Sequence, residues 1–545
     1  MARCQEPTSQ RYRIEAGKRL PVPDSLTRAC GRGIHGGMTS VDAIVIGSGP
    51  NGLAAAVTLA RAGLSVHVYE RNATAGGGMR TEEVTLPGFR HDICSAVHPL
   101  AFASGFFRRF GLADRVPFIT PSASYGHPLP GGEAALAYRD LERTADALGP
   151  DGPAWRALLG PLVRNADAVA QFTGSSLLQL PRHPLVAARF GLAALSQGGP
   201  WWNLPFRGEK APALLTGVIA HTTLPLPNLA GAAAGLALAT YAHARGWPIP
   251  VGGSQAIADA LVDDLLAHGG ELITGTDIQS LGELPDARAI LFDTHVAIAA
   301  RLGEDRLPAD YLRRVAAFRD GNGVFKIDFA LSGPVPWTNP ELRETATVHL
   351  GGERAAIARA ERTVAAGRES DDPYVLVSQP TLFDPSRAPA GKHVLWAYTH
   401  VPRGSTSDRS EAVIGQIERF APGFRDLILA SATKTAHQLE GYNPSYIGGD
   451  ISSGMPDLSQ LILRPVPSTD PWRMPGRGLY LASSSAVPGP GVHGLAGYYA
   501  ARSALRHEFG MTRMPSLAPD LPVASPGAPA SGFNQTTGSI EEEIA

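Results

Sequence analysis

The first regular pattern along the chain is an apolar strand, a glycine-rich turn and a helix of small residues. Residues 41–46 are β-branched or apolar except for Asp42, and the turn Gly-Ser-Gly-Pro-Asn-Gly follows at 47–52. The alanine- and leucine-rich stretch 53–62 is typical of a packed helix, and a second apolar strand at 64–69 leads into Glu70. This order predicts a βαβ unit that binds a dinucleotide.

The residues of the glycine turn have distinct expected roles. Gly47 permits the tight turn, Gly49 lets the backbone approach a pyrophosphate, and Gly52 lets the helix pack closely on the strand. Pro50 and Asn51 open the helix, where free N–H groups and the helix dipole favour an anion. The alternative is a glycine-rich turn without a ligand, which the presence of both strands, the helix and the acidic residue disfavours.

The residues after the second strand extend the predicted site. Glu70 is placed to accept hydrogen bonds from an adenosine ribose, and we expect Arg71 near the same cofactor. A second glycine cluster, Gly-Gly-Gly-Met-Arg-Thr, follows at 76–81. NAD-binding units do not need such a cluster, so it bears on which dinucleotide is bound.

The middle of the chain changes from a helical pattern to an α/β pattern. Residues 134–248 are mostly helical in pattern, and their apolar positions are denser than one packed face requires. We expect a helix-on-helix core, with the wall of a lipophilic pocket or a membrane-facing surface as the alternative. A helix at 254–268 and strands at 271–278 and 289–293 then repeat the α/β pattern.

A second strand, glycine turn and helix closes the ordered part of the chain. Short strands alternate with helices over 300–465, which indicates an α+β domain with a sheet. The strand at 478–485 enters a Gly/Pro turn at 488–494, and a helix follows over 495–505. The N-terminus of that helix is a candidate anion or oxyanion site. The alternative is a loop that joins a strand to a packing helix.

These patterns predict an α/β fold in which a discontinuous Rossmann-like cofactor domain is combined with an α+β substrate domain. The cofactor domain is predicted over 41–100, 248–300 and 470–510, the substrate domain over 101–247 and 301–469, and disordered segments over 1–40 and 511–545. Met38 precedes the first strand directly, so we expect it to be the true start, with residues 1–37 as an upstream extension.

Composition excludes several classes of protein. The chain has 545 residues, 44% hydrophobic content, 18% charged content and a net charge of −2, which argues against a nucleic-acid binder. Cys4, Cys30 and Cys94 form no C-x-x-C pair, so a disulfide framework or a thiol-relay reductase is not expected. The sequence shows no secretory signal and no membrane-spanning run. We therefore expect a cytoplasmic protein, with peripheral attachment to a membrane as an alternative.

Four segments together resemble a known family: residues 44–70, 76–81, 247–278 and 478–501. They are similar to the phytoene desaturase and carotene isomerase superfamily of FAD-dependent oxidoreductases, whose wider fold is the glutathione-reductase and amine-oxidase type. Residues 221–225, 231–238 and 247–257 are most similar to the branch called pyridine nucleotide-disulfide oxidoreductase domain-containing protein 2. The resemblance covers about residues 41–508, and its motifs are specific for FAD but not for a substrate.

The resemblance implies that FAD is bound, and the absence of a cysteine from the C-terminal motif favours non-covalent binding. It implies that the following residues contact the cofactor: Gly47, Gly49, Pro50, Asn51, Gly52, Glu70 and Arg71 at the nucleotide, Gly77, Gly78, Arg80 and Thr81 at the flavin–pyrophosphate junction, Ile278 at the adenine, and Ser484, Gly491, Val492 and His493 at the ribityl chain and flavin ring. Related flavoproteins often carry an acid after the last strand. This chain has Ala482-Ser483-Ser484 there, so hydroxyls or backbone groups must make any ribityl contact.

The resemblance also implies a reaction, in which a small lipophilic substrate loses hydride to flavin N5. His98 and His493 are the candidate acid–base residues, and the alternative for each is a hydrogen-bonded structural histidine. Two other functions remain open, a redox-neutral flavin isomerase and a non-catalytic scaffold that binds flavin or lipid. The sequence predicts no nucleic-acid partner and does not predict an oligomeric state.

Overall fold

A computed structural model describes residues 10–15, 18–21 and 40–520. In chain order its strands are β1 (Gln10–Glu15), β2 (Lys18–Pro21), β3 (Val41–Ile46), β4 (Val66–Tyr69), β5 (Thr81–Glu82), β6 (His91–Asp92), β7 (Phe118–Ile119), β8 (Ala123–Pro128), β9 (Ala134–Tyr138), β10 (Ile249–Pro250), β11 (Glu271–Thr274), β12 (Ala287–Phe292), β13 (Gly323–Leu331), β14 (Thr347–Leu350), β15 (Val375–Ser378), β16 (His393–Val401), β17 (Ile428–Lys434) and β18 (Leu479–Leu481). Its α-helices are α1 (Pro50–Arg61), α2 (Gly105–Phe110), α3 (Leu112–Arg115), α4 (Leu141–Ala147), α5 (Gly152–Val163), α6 (Ala166–Thr173), α7 (Pro184–Gln197), α8 (Lys210–Ile219), α9 (Leu229–Ala244), α10 (Gln255–Ala267), α11 (Val296–Leu302), α12 (Ala309–Ala316), α13 (Arg354–Ala365), α14 (Ser410–Glu418), α15 (Ala436–Tyr442), α16 (Leu458–Leu463) and α17 (Leu495–Glu508).

One seven-stranded sheet contains the predicted dinucleotide-binding unit. Its strand order is β18-β12-β3-β4-β11-β1-β2, and the strands from β18 to β11 run parallel. Helix α1 connects β3 to β4, so the strand–helix–strand unit forms where the sequence predicts it. Strands β3 and β12 are nearly continuous buried runs, as expected for central strands of a parallel sheet. The predicted α/β class is confirmed.

The parallel strands of this sheet come from three separate parts of the chain, residues 41–69, 271–292 and 479–481. Right-handed crossovers allow such distant segments to enter one sheet as neighbours. The sheet is therefore discontinuous in sequence, while the predicted domain boundaries themselves stay a prediction.

A second seven-stranded sheet has the order β17-β13-β16-β15-β14-β8-β9 and is antiparallel except where β14 meets β8. The strands predicted at 324–329, 375–378 and 393–398 are present as β13, β15 and β16. Strand β9 lies at the start of the stretch that was predicted to be mostly helical. Its five residues are too few for hydrophobic periodicity to separate a strand from a helix, and pairing with β8 decides the outcome.

The remainder of residues 134–248 is a helical layer, as the pattern predicts. Helix α9 packs against α5, α6, α7 and α8. Its sequence, Leu-Ala-Gly-Ala-Ala-Ala-Gly-Leu-Ala-Leu-Ala-Thr-Tyr-Ala-His-Ala, is apolar on all sides because neighbours surround it. In the described part of the chain, no helix has both the length and the apolar character needed to cross a bilayer.

Both ends of the chain differ from the predicted disorder over the residues that the structure describes. Strands β1 and β2 extend the first sheet: β1 pairs antiparallel with β11, and β2 pairs antiparallel with β1. Near the other end, Arg61 donates hydrogen bonds to the carbonyls of Ser516 and Ala518, and Leu517 is buried. One arginine and one leucine thus hold a proline-rich segment that its composition alone predicts to be unfolded. Met38 and residues 521–545 lie outside the described residues.

Candidate functional site

Three neighbouring parallel strands end at one edge of the first sheet. β3 leads into Gly47, β12 leads into Asp293 and β18 leads into Ala482. In parallel sheets, ligands bind beyond the carboxyl ends of the strands. The fold therefore brings both glycine motifs of the sequence, and an acidic residue between them, to one place.

The first glycine turn is packed too tightly for side chains. A Cβ added to Gly52 would lie 2.2 Å from the Gly47 carbonyl oxygen, and one added to Gly49 would lie 2.5 Å from Asp293 Oδ2. Gly47 also has a φ of 100°, which L-residues rarely adopt. Gly49 is the N-cap of α1 and offers no side chain to its free N–H groups, so the helix N-terminus is open to an acceptor from elsewhere.

Glu70 is buried and accepts four hydrogen bonds. The Ser48 N–H and hydroxyl donate to Oε2 at 3.2 and 2.6 Å, and the Asn72 N–H and side-chain amide each donate to Oε1 at 2.8 Å. Arg80 Nη2 lies 4.0 Å from Oε1. Glu70 therefore ties the glycine turn to the segment after β4, and its carboxylate also lines the cavity described below.

Asp293 is the acidic residue that the sequence reasoning missed. Its Oδ2 accepts a hydrogen bond from the Gly52 N–H at 2.8 Å, so it serves the open N-terminus of α1. Burial, with the nearby charge of Glu70, raises the pKa of Asp293 to about 7. The available signal was an aspartate directly after an apolar run, because that position faces the ligand edge of a parallel sheet.

The second glycine cluster lies against the first. A Cβ on Gly77 would lie 2.9 Å from Gly49 Cα, so the two turns touch through bare backbone. Arg80 is buried, its guanidinium stacks over Tyr442, and its Nε has no hydrogen-bond partner among the described residues. Thr81 differs from the expectation: its hydroxyl donates to Asp92 at 2.7 Å and accepts from the Gln255 N–H, which connects this segment to α10 rather than to the cavity.

One cavity of about 800 Å³ runs from this edge to the second sheet and the helical layer, which the sequence predicts to form the second domain. That volume lies within the range of ligand sites, ~300–1,000 Å³. Most of the predicted cofactor residues line it, namely Gly47, Gly49, Pro50, Asn51, Glu70, Arg71, Gly77, Gly78, Arg80, Ile278, Ser484, Gly491, Val492 and His493. Gly52 and Thr81 do not, and the candidate acid–base residue His98 does.

Arg464 holds the C-terminal glycine motif in place, although this arginine belongs to no recognised sequence motif. Arg464 is fully buried, and it donates to the carbonyls of Ser484 and Gly454 at 3.0 and 2.8 Å. A Cβ on Gly489 would lie 2.8 Å from its Nη1, which shows how closely the guanidinium fits the loop. No spacing rule points to Arg464, because its partners are backbone carbonyls, which any residue type can supply.

His493 has a hydrogen-bond partner for each ring nitrogen. Its Nδ1 accepts from the Leu495 N–H at 3.0 Å at the start of α17, and its Nε2–H donates to the Gly489 carbonyl at 3.1 Å. Burial lowers the pKa of His493 to about 4, so the ring is neutral. This geometry favours the structural alternative, and the predicted catalytic role stays a prediction.

His98 keeps one ring nitrogen unpaired. The Ser254 hydroxyl donates to the Ser95 carbonyl at 2.6 Å, so at 2.8 Å the same hydroxyl must accept from His98 Nε2–H. His98 Nδ1 therefore carries a lone pair, and it has no partner among the described residues. Burial lowers the pKa of His98 to about 4. It is a neutral acceptor at the cavity wall.

A pair of histidines lies at the far end of the cavity, and the sequence reasoning did not identify it as a site. His221 lines the cavity, and its Nε2 lies 2.8 Å from Nε2 of His349. His349 Nδ1 is buried without a partner among the described residues. An orphaned N–H is rarer than an orphaned lone pair, so His349 donates through Nε2 and His221 carries its own proton on Nδ1. Burial lowers the pKa of His221 to about 3.

Comparison with known proteins gives relatives over the length of the chain. The family described as NAD(P)-binding Rossmann-like domain matches residues 45–110. Pyridine nucleotide-disulfide oxidoreductase domain-containing protein 2 of Rattus norvegicus is 27% identical, over 85% of this chain and 93% of its own. Phytoene dehydrogenase of Streptomyces griseus is 26% identical, over 71% of this chain and 77% of its own.

The solved structure of wild-type putrescine oxidase, bound to putrescine, has the same fold. It superposes with a TM-score of 0.54 at 16% identity and covers 86% of this chain and 99% of its own. The sequence relatives, the Rossmann-like match and the shared fold place this chain in the superfamily of FAD-dependent oxidoreductases.

Proposed function

We propose that the protein binds FAD non-covalently and oxidises a lipophilic substrate that carries no charge. The observation that supports this is the distribution of charge along the cavity. The charged lining residues are Glu70, Arg71, Arg80, Asp277, Asp293 and Arg301, and each lies on or directly after an element of the first sheet and its connections. Among the described lining residues, the second domain contributes none.

The nucleotide end of the cavity fits a dinucleotide. Glu70 would accept hydrogen bonds from the ribose, and the open N-terminus of α1 would receive the pyrophosphate. Two buried polar atoms there, Asn51 Oδ1 and Arg80 Nε, lack partners among the described residues and are available to a ligand. When bound, FAD supplies the hydride acceptor that this chain's own side chains do not offer.

Non-covalent binding is consistent with the environment of the one cysteine at the cavity. Cys94 lines the cavity close to Gly78, but burial raises the pKa of its thiol. A protonated thiol is a poor nucleophile. Cys94 is therefore expected to pack against the cofactor without bonding to it.

The substrate end favours an apolar molecule. Its walls include Phe190, Ala237, Leu238, Leu376 and Trp396, and its histidines are neutral. A buried cation needs a paired carboxylate. The described lining residues of the second domain include no carboxylate to pair with a cationic amine. An alkene or isoprenoid has no charge and needs no such partner.

His98 is the residue we propose for proton transfer. His98 is a lining residue of the cavity with an unpaired Nδ1 lone pair, and the Ser254 hydroxyl fixes the tautomer by accepting from Nε2–H. Losing hydride from an unactivated carbon also requires losing a proton. His98 Nδ1 can accept that proton, while both nitrogens of His493 are already engaged.

Two measurements on the purified protein test this proposal. Acid precipitation should release FAD into the supernatant, whereas a coloured pellet or FMN would contradict non-covalent FAD. Under anaerobic conditions, a detergent-dispersed isoprenoid alkene should bleach the visible flavin absorbance and a diamine such as putrescine should not. Bleaching by the diamine alone would overturn the proposed substrate class and leave the cofactor assignment intact.

A further inference from the structure

The exposed apolar side chains of this protein are concentrated on one segment. Seven of the eleven exposed large hydrophobic residues in the described chain lie within residues 178–204; the other four are Leu429, Leu458, Leu463 and Met511. The seven are Leu178, Leu180, Leu185, Leu192, Leu195, Trp201 and Leu204. We call this set the leucine face. Exposed leucines scattered singly need no explanation, but a cluster marks an interaction surface.

Helix α7 forms the centre of the leucine face. Leu185, Leu192 and Leu195 are 80%, 67% and 61% exposed and share one side of the helix by their spacing. The opposite side carries Phe190 and Ala194, which are buried. A surface helix in water normally turns its polar side outward. Helix α7 instead has apolar residues on both its buried and its exposed side, which is unusual for a protein surrounded only by water.

Within residues 168–208 the charged side chains are all basic, and two exposed acidic residues, Asp167 and Glu209, stand directly outside this stretch. No aspartate or glutamate occurs in residues 168–208, whereas Arg182, Arg189 and Arg207 are exposed there. The whole chain has a net charge of −2, so this basic character is local. Exposed leucine, tryptophan and arginine side chains within one short segment are typical of segments that lie at a membrane interface, where arginine meets anionic headgroups.

The same segment is a wall of the cavity. Phe190 of α7 packs edge-on against Phe172 at 5.9 Å, and both line the cavity, as does Leu177 beside the exposed Leu178. One helix and one loop therefore separate the lipophilic cavity from the leucine face. A second copy of the chain is a weaker occupant, because a symmetric contact would place arginines against arginines.

We propose that the leucine face docks the protein on an anionic lipid bilayer, with the substrate end of the cavity turned toward the membrane. Docking follows from exposure and charge alone. Only the consequence that a lipophilic substrate enters from the bilayer past α7 rests on the proposed function. The leucines would enter the boundary between headgroups and acyl chains, and the arginines would contact the phosphates.

The test is co-sedimentation of the full-length protein with vesicles of phosphatidylcholine, alone or mixed with phosphatidylglycerol. The wild type should bind the mixed vesicles more strongly, and added salt should weaken that binding. The double variant Leu185→Glu, Leu192→Glu should bind them at least about tenfold more weakly, since it removes two inserted side chains. Leu429→Glu, an exposed leucine on β17, is the matched control and should bind like the wild type.

Two outcomes would overturn the proposal. One is equal sedimentation of the wild type and the double variant. The other is a wild type that ignores both vesicles but forms a dimer in light scattering that the double variant cannot form, which would assign the leucine face to a contact between copies. Flavin content and bleaching by a detergent-dispersed substrate should be the same in all variants, so failure of docking and failure of the proposed function are distinguishable.

Discussion

The two ends of the cavity bury ionisable groups in opposite ways. At the nucleotide end Glu70 receives four hydrogen bonds. At the substrate end burial lowers the pKa values of His98 and His221 to about 4 and 3, so these rings are neutral. One end therefore offers charge to a charged cofactor, and the other offers an apolar surface with a few neutral hydrogen-bonding groups. Asp293 is intermediate between the charged and the neutral groups, because its pKa is raised to about 7.

Acid should destabilise the protein through two buried histidines at the cavity, His98 and His493 of the C-terminal glycine motif, and this is the largest effect expected. Burial lowers the pKa values of His98 and His493 from 6.5 to about 4. Below pH 6.5 these histidines bind protons in the unfolded chain but stay neutral in the folded protein. The stability that is present above pH 6.5 is therefore lost as the pH falls toward 4. Each histidine should contribute about 3 kcal/mol to the loss. Denaturant unfolding should show a smaller loss for His98→Gln combined with His493→Gln, and the full loss for the exposed control His183→Gln.

Gly52→Ala should break the nucleotide end. The added Cβ would lie 2.2 Å from the Gly47 carbonyl oxygen and 2.8 Å from Asp293 side-chain atoms, so the turn has to move. We expect a loss of ~3 kcal/mol or more in stability, with loss of bound flavin. Gly191→Ala, where nothing lies within 4 Å, is the control and should keep both. A Gly52→Ala protein that melts normally and is still yellow would show that the turn can relax.

Glu70→Ala should weaken cofactor binding while the domain stays folded. Hydrogen bonds to a charged group contribute roughly 1.5–3 kcal/mol, so affinity should fall about 10- to 100-fold. Glu70→Gln retains one acceptor oxygen and should fall less. Flavin retained after exhaustive dialysis measures the effect. Equal retention by the alanine variant and the wild type would restrict Glu70 to its bonds with Ser48 and Asn72.

His98 and His493 should separate proton transfer from packing. His493→Ala removes two backbone hydrogen bonds and should lower the melting temperature by several degrees, with normal photoreduction of the flavin. His98→Ala should keep bound flavin and slow its reduction by substrate. If only the His493 variant showed an altered reduction potential or rate of flavin reduction, the assignment would be wrong and His493 would be the catalytic residue.

Asp293 should make cofactor binding depend on pH. Its pKa is raised to about 7, so it is protonated below that pH and gains a negative charge above it, close to the helix N-terminus that would receive the pyrophosphate. Affinity for the dinucleotide should fall about tenfold from about pH 6 to about pH 8, because like charges repel. For the protein without cofactor, this raised pKa means that stability present below pH 3.8 is lost as pH rises toward 7. Asn at position 293 retains an acceptor for the Gly52 N–H without the charge, so Asp293→Asn should remove the dependence in a titration monitored by flavin fluorescence.

The nucleotide end of the cavity could be predicted from local sequence patterns. The strand, glycine turn, helix and acidic residue at 41–70 are consecutive, and each is stabilised by backbone geometry within that unit. The parallel sheet and most of the residues that line this end of the cavity could therefore be predicted. Asp293 could not be assigned, because its partner Gly52 is distant in the chain and only the neighbouring positions of β3 and β12 bring them together.

The sequence by itself determined the α/β class, the two glycine motifs and the acidic residue that ends the second strand, because these depend on periodicity and on short-range backbone requirements. Tertiary structure alone decided which groups at the cavity are charged and which are neutral. A pKa depends on burial and on partners that are distant in sequence, as in the pairing of His221 with His349. It also decided that the apolar side of α7 faces outward, because burial of Phe190 against Phe172 fixes the rotation of that helix.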